Sequence, residues 1–172
     1  GVLVAWIALP GWPRPLAVAT THLNARRAAG VDTARADAAF AWQWAAVRRF
    51  LAERLAPHEA AILAGDVNIG GAFARAAAAR RSGPALPAGR DAVAEALAAD
   101  AVPASQRAEA DTLAQVQTDR QFYRPGTDLP LLAAGLHIPF PETGPGPALS
   151  DHPGFVIRYT LGDAPAQRPT PR

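Results

Sequence analysis

The sequence contains no cysteine, no methionine and no lysine among its 172 residues. Without cysteine, disulfides and thiolate metal sites are excluded, so any bound metal must use oxygen or imidazole ligands. That ligand set favours a hard cation such as Mg²⁺. No apolar run approaches the roughly 18 to 20 residues that a membrane-spanning helix requires. This stretch therefore contains no predicted transmembrane segment, while binding to a membrane surface stays open.

Apolar residues make up 49% of the sequence, enough for one domain with a buried core. The pI of 9.9 accompanies a formal net charge of only +2, and every basic side chain apart from histidine is arginine. The charge balance is thus weak support for a nucleic-acid partner. Because Gly1 to Leu9 already has the pattern of a strand, we expect the sequence to start inside a domain. The compartment stays undetermined.

Apolar periodicity predicts strands alternating irregularly with helices, which favours an α+β layered sheet. One long amphipathic helix is expected from Thr33 to Leu55, where Pro57 would stop it. Two short Ala-rich helices are expected on one face, over 71–81 and 91–99, and a Pro/Gly loop over 139–147. The predicted strands are Val2–Leu9, Leu16–Thr21, Ala60–Ala64, Arg120–Arg124, Leu129–Ile138 and Pro153–Leu161.

Four polar clusters lie at the ends of these predicted strands, where binding and catalytic loops are usually built. The chain between each pair is long enough for a helix or hairpin, so all four can gather at one edge of a sheet. The clusters are THLN at 21–24, GDVN at 65–68, DRQFYR at 119–124 and SDHP at 150–153.

These motifs, in this order, resemble the later motifs of the endonuclease/exonuclease/phosphatase superfamily, over about Leu16 to Leu161. That family includes deoxyribonuclease-I-like nucleases, abasic-site endonucleases, neutral sphingomyelinases and inositol-polyphosphate phosphatases. The resemblance implies half of a four-layer α/β/β/α sandwich, a mostly antiparallel sheet with flanking helices. We therefore expect residues 1–161 to be the C-terminal part of such a domain and residues 162–172 to be a disordered Pro-rich tail.

By the same resemblance, Asp66 corresponds to the carboxylate that activates the attacking water, and Asn68 holds the phosphate or that carboxylate. A carboxylate near a metal can accept a proton, and a neutral amide can donate a hydrogen bond without adding charge. In an extended segment the two side chains would point the same way. The alternative is an Asp and Asn that only form a turn.

His152 resembles the family's catalytic histidine, and Asp119 resembles the carboxylate that hydrogen-bonds it and keeps it protonated. Asp151 resembles a metal ligand. Since neighbouring residues in an extended stretch point opposite ways, Asp151 could face the ion while His152 faces the phosphate. The alternative is a capping or turn aspartate next to a surface histidine.

His22 resembles a second family histidine that contacts a phosphate oxygen and protonates the leaving group, although a lone strand-end histidine is often structural. Asn24 and Arg26 follow it and are candidates for substrate binding, or else solvated loop residues. Trp42 and Trp44 on the long helix are either base-stacking platforms or, as their spacing favours, core residues.

The leading hypothesis is a hydrolase that uses Mg²⁺ or Mn²⁺ and an activated water to cleave a phosphoester, a phosphodiester before a phosphomonoester. Its substrate would be a nucleic acid or a phospholipid headgroup, and no protein partner is inferred. A serine hydrolase using Ser150 is disfavoured, because no GxSxG motif is present. The remaining alternative is a non-catalytic, truncated relative that acts as a binding module, because the family's Glu metal ligand has no counterpart in these residues.

Overall fold

The computed structural model describes residues 1–25, 30–69, 73–116, 118–140, 150, 152 and 154–162. Within these residues, no helix is both long and apolar enough to cross a membrane. A 3₁₀ turn spans Ala104–Gln106. The other elements are β1 Val2–Ile7, β2 Leu16–Thr21, α1 Thr33–Arg54, β3 Ala61–Asp66, α2 Phe73–Ser82, β4 Arg90–Asp91, α3 Ala92–Ala98, α4 Arg107–Val116, β5 Asp119–Arg124, β6 Leu131–Phe140 and β7 Gly154–Leu161.

Five strands form one sheet in the order β1-β2-β3-β5-β4, and β6 and β7 form a second, two-stranded sheet. Only the β2–β3 pair is parallel in the described part of the chain. A parallel pair needs a crossover connection, and α1 supplies it between β2 and β3. The predicted α+β class with a mostly antiparallel sheet is therefore confirmed.

Helix α1 covers one face of the five-stranded sheet. It begins after Asp32, whose side chain accepts a hydrogen bond from the Ala34 amide at 3.4 Å. The Trp44 indole packs edge-on against Phe122 of β5, with ring centroids 6.2 Å apart. The predicted apolar stripe is buried as expected, at Phe40, Trp44, Val47 and Leu51 of α1 and at Leu55 just after the helix.

A second core lies on the opposite face of the same sheet. Alternate strand residues point to opposite faces, so Leu63 joins the α1 core while Ile62 packs against the second core. Helix α2 contributes Ala79 to the first core and α3 contributes Val93 to the second. The prediction that these two Ala-rich helices share a face is therefore wrong. Because alanine side chains are short, an Ala-rich sequence does not indicate which face of a helix is buried.

Some boundaries also differ from the sequence predictions. Helix α4 and the two-residue strand β4 were not predicted, because each buries too few apolar side chains to make a periodic pattern. Pro139, expected to open a loop, lies near the end of β6. Gly162 is held by a 2.8 Å hydrogen bond from its amide to the Pro130 carbonyl. The rest of the predicted tail lies outside the described residues, and the half-domain assignment of 1–161 stays a prediction.

Candidate active site

Three strand termini place polar side chains at one edge of the five-stranded sheet. Strands β2 and β3 run parallel and end together, and β5 begins beside the end of β3 because that pair is antiparallel. In this register Asp66, the last residue of β3, lies directly opposite Asp119, the first residue of β5. The predicted gathering of the first three motifs thus follows from strand register.

Gly65 allows the ends of β2 and β3 to approach closely. A β-carbon at this position would lie 2.1 Å from the carbonyl oxygen of Thr21, too close for any side chain. The approach brings His22, just after β2, next to Asp66, with Nε2 and Oδ2 3.4 Å apart. The His22 side chain is 73% exposed and that of Asp66 only 17%. The imidazole is therefore open to solvent, and the carboxylate is largely shielded.

His152 and Asp119 form a short pair at the same edge. Nδ1 of His152 donates to Oδ2 of Asp119 at 2.5 Å, and the His152 amide donates to the Ser150 hydroxyl at 3.1 Å. The carboxylate orients the ring and holds its proton on Nδ1, so Nε2 is directed away from Asp119. This is the pairing that the sequence predicted, although the catalytic roles of both residues stay predictions.

Asp66, Asp119 and His152 each offer one ligand atom, and these atoms all lie within 4.8 Å of one another. The two carboxylates supply hard oxygen donors, which suit a divalent cation such as Mg²⁺ or Mn²⁺. The described residues thus fit a bound metal. Asp151, the ligand predicted from the sequence, lies outside the described residues.

Asn68 departs from the predicted extended geometry, because its φ of 49° is in the left-handed region. The Asp66 carboxylate accepts the Asn68 amide at 2.9 Å, a side-chain turn that Asn tolerates well. The Asn68 side-chain nitrogen donates to the Leu23 carbonyl at 2.9 Å. The expectation that Asp66 and Asn68 point the same way along a strand is therefore wrong. Asn68 ties two loops together, and its contact with substrate stays a prediction.

The predicted substrate-binding residues are only partly described. Asn24 donates its amide to Oε1 of Gln43 on α1 at 2.7 Å, and its own side-chain oxygen is buried. Arg26 lies outside the described residues. Of the two tryptophans, Trp44 belongs to the core and Trp42 is 70% exposed. The core interpretation is thus right for Trp44 and wrong for Trp42.

A cavity of about 460 Å³ adjoins His22 and runs along α1. Its lining combines aromatic and charged side chains, including Trp42, Arg49, Phe50 and Glu53. A site that combines aromatic and polar side chains can hold the organic part of a ligand and orient its polar groups. Neither the cavity nor the buried Arg75 of α2 was predicted, because nothing in the local sequence marks them.

Comparison with solved structures identifies the fold. The chain is similar to humanized D. rerio TDP2 carrying 14 mutations, with a TM-score of 0.63 and 19% identity over 92% of this chain and 57% of that one. The chain has the endonuclease/exonuclease/phosphatase fold. D. rerio TDP2 complexed with a single-strand DNA product gives a TM-score of 0.62 and 17% identity, over 92% of this chain and 61% of that one.

An endonuclease/exonuclease/phosphatase from Beutenbergia cavernae DSM 12333 is also similar, with a TM-score of 0.53 and 18% identity over 96% of this chain and 40% of that one. The chain therefore spans between two fifths and about three fifths of the length of these structures. No protein-family model matches the sequence, and no curated protein matches it. The resemblance inferred from the four motifs is confirmed at the level of the fold.

Proposed function

We propose that this chain carries the catalytic residues of a divalent-metal-dependent hydrolase that cleaves phosphodiesters. One observation carries the proposal: Asp66, Asp119 and His152 come from separate parts of the sequence and meet within 4.8 Å. His22 lies 3.4 Å from Asp66 at the same edge. The endonuclease/exonuclease/phosphatase fold supports the same class of reaction.

In this proposal Asp66 accepts the proton of the attacking water. Its carboxylate is mostly shielded from solvent, and the Asn68 amide holds one of its oxygens in place. A fixed, partly desolvated carboxylate at hydrogen-bonding distance from a water is suited to general-base catalysis. The exposed His22 would contact a phosphate oxygen and protonate the leaving group.

His152 stabilises the charge that develops on the phosphoryl oxygens. With Nδ1 held by Asp119, Nε2 can donate to an oxygen of the substrate. The aspartate fixes the orientation of the ring before the substrate binds, so little reorganisation is needed during the reaction.

Asp119, with Asp151 as a further ligand, would hold Mg²⁺ or Mn²⁺ beside the Asp66 carboxylate. When bound, the ion would neutralise phosphate charge and polarise the phosphorus–oxygen bonds. The remaining residues of the site bind and orient the substrate around that position.

A nucleic acid is the substrate class that we favour over a phospholipid headgroup. The cavity beside His22 offers Trp42 as a stacking surface and Arg49 as a cation for a neighbouring phosphate. The similar structure of D. rerio TDP2 is a complex with single-strand DNA product.

The test uses the chain together with any coding sequence upstream of Gly1, assayed on bis-p-nitrophenyl phosphate. We expect turnover that EDTA abolishes and that Mg²⁺ or Mn²⁺ restores. Asp66→Asn should lower kcat by about 10² to 10⁴, the usual contribution of a general base. Turnover that is unaffected by EDTA, or a fully active Asp66→Asn variant, would exclude this mechanism.

Substrate class is tested separately with a single-stranded oligonucleotide and with sphingomyelin vesicles at matched phosphodiester concentration. We expect the oligonucleotide to be cleaved faster, and Trp42→Ala to raise its KM while leaving kcat on bis-p-nitrophenyl phosphate unchanged. Preferential cleavage of the vesicles would instead assign the headgroup as substrate.

A further inference from the structure

Arg75 of α2 is a buried arginine whose hydrogen bonds to described residues lead to α1 and to the loops around the site. Its side chain is only 1% exposed. Nε donates to Oδ1 of Asp37 on α1 at 2.7 Å, and the guanidinium lies over the Phe40 ring, 4.9 Å from its centroid. A charged group is buried at a high desolvation cost unless its hydrogen bonds and charge are matched, and here an aspartate supplies the countercharge.

One nitrogen of Arg75 joins the two loops that carry the site. Nη1 donates to the Asn24 carbonyl at 2.6 Å and to the Asn68 carbonyl at 2.9 Å. The first carbonyl is two residues beyond His22, and the second is two residues beyond Asp66. Because the guanidinium is planar and rigid, it sets the separation of these carbonyls more strictly than a flexible ammonium could.

The same two loops are joined at further points closer to the site. The Leu23 amide donates to the Asp66 carbonyl at 2.9 Å, and Asn68 Nδ2 donates to the Leu23 carbonyl. Arg75 adds its two hydrogen bonds to this set from α2, which packs against α1. Loss of Arg75 would release the outer end of each loop while the β2–β3 pairing continues to hold the inner end.

We propose that Arg75 is a positioning residue that fixes the distance between His22 and Asp66. The proposal rests on the proposed function, because it assigns Arg75 a part in that same site. Arg75 touches neither the substrate nor the reacting atoms; it acts through the loops. Nε2 of His22 and Oδ2 of Asp66 are 3.4 Å apart, so a small loop displacement changes their geometry substantially.

This role predicts a specific kinetic pattern. A misplacement of about 1 Å can cost on the order of 100-fold in rate, so Arg75→Ala should lower kcat by about that factor. KM should stay within about threefold of the wild-type value, because no substrate contact is removed. Methylguanidinium, which fits the space left by the side chain, should restore part of kcat.

The experiment measures kcat and KM on bis-p-nitrophenyl phosphate in the full chain with saturating Mg²⁺. Arg80→Ala is the matched control, because it removes an exposed arginine from the same helix. We expect Arg80→Ala to behave as wild type and to be insensitive to methylguanidinium. If Arg75→Ala does not fold, Arg75→Lys replaces it, with lowered kcat and unchanged KM as the expected result.

A measurement independent of activity is amide hydrogen exchange. Exchange at Leu23 and Asn68 should accelerate in the Arg75 variant, while exchange at Leu63 in the centre of β3 should not change. A folded Arg75 variant with wild-type kcat, or with exchange at Leu23 and Asn68 no faster than in wild type, would overturn the proposal. An inactive wild-type protein would refute the proposed hydrolase, whereas the exchange data would still test the role of Arg75.

Discussion

Replacing Asp119 by asparagine isolates the contribution of one hydrogen bond to catalysis. The change removes the negative charge that lies 2.5 Å from Nδ1 of His152 but keeps the size of the side chain. The side chains of Asp119 and His152 are 26% and 36% exposed, so water screens the interaction only in part. The substitution should therefore affect the orientation and charge of the imidazole more than the fold.

A hydrogen bond that involves a charged group contributes about 1.5 to 3 kcal/mol. At about 1.4 kcal/mol for each factor of ten, the loss corresponds to a roughly 10- to 150-fold decrease in kcat. The assay is turnover of bis-p-nitrophenyl phosphate at saturating metal, so that weaker metal binding does not contribute. The double variant, Asp119→Asn with His152→Ala, tests whether Asp119 acts through His152. If it does, the decreases in kcat of the two single variants should not add.

Asp128→Asn is the matched control, since it makes the same chemical change in an ion pair far from the site. Asp128 accepts a hydrogen bond from Arg14 at 2.9 Å, and both side chains are exposed. Exposed pairs contribute about 0 to 1 kcal/mol, so kcat should stay near wild type. Wild-type activity in Asp119→Asn, or an equal loss in Asp128→Asn, would refute this reasoning.

Three further predictions concern stability and association. Gly65→Ala should lower the free energy of unfolding by about 3 kcal/mol or more in urea melts, because its β-carbon collides with the Thr21 carbonyl; an unchanged melt would contradict the close approach. Burial raises the pKa of both tyrosines, Tyr123 and Tyr159. Above about pH 10 the tyrosines of the unfolded chain therefore lose their protons before those of the folded chain, and the free energy of unfolding falls as pH rises. Tyr159→Phe should make this fall less steep, and an unaltered pH profile of the unfolding free energy would contradict the burial of Tyr159. Leu3 on the edge strand β1 is 69% exposed, and an exposed apolar edge strand favours pairing with another copy of the chain. We therefore expect concentration-dependent self-association in sedimentation velocity that Leu3→Lys reduces, and equal association of the variant would exclude this surface.

Much of the local structure could be predicted because the patterns are strong. The apolar stripe of α1 follows from a 3.6-residue repeat, and Leu16–Thr21 is a strand bounded by proline and a polar motif. Helix α4 escaped prediction because only Ala110 and Leu113 are fully buried among its described side chains. Two buried positions do not make a detectable period.

The site was predictable as a set of residue types but not as a geometry. The order of the motifs indicated that four residues belong together, namely His22, Asp66, Asp119 and His152. The structure places all four at one edge of the five-stranded sheet. The left-handed backbone at Asn68 was missed, because it depends on the turn made with Asp66 and on the Leu23 carbonyl of another strand end. Local propensity carries no information about such a partner.

By itself, the sequence determined the strands and helices with strong apolar patterns, that no thiolate could bind a metal, and which polar side chains stand at strand ends. Those properties depend on neighbouring residues and on side-chain chemistry. Only the tertiary structure decided that Asp66 faces Asp119 across a strand pair, that α2 and α3 cover opposite faces, and that Arg75 joins two loops. These depend on register and packing between segments far apart in the chain, which no local pattern encodes.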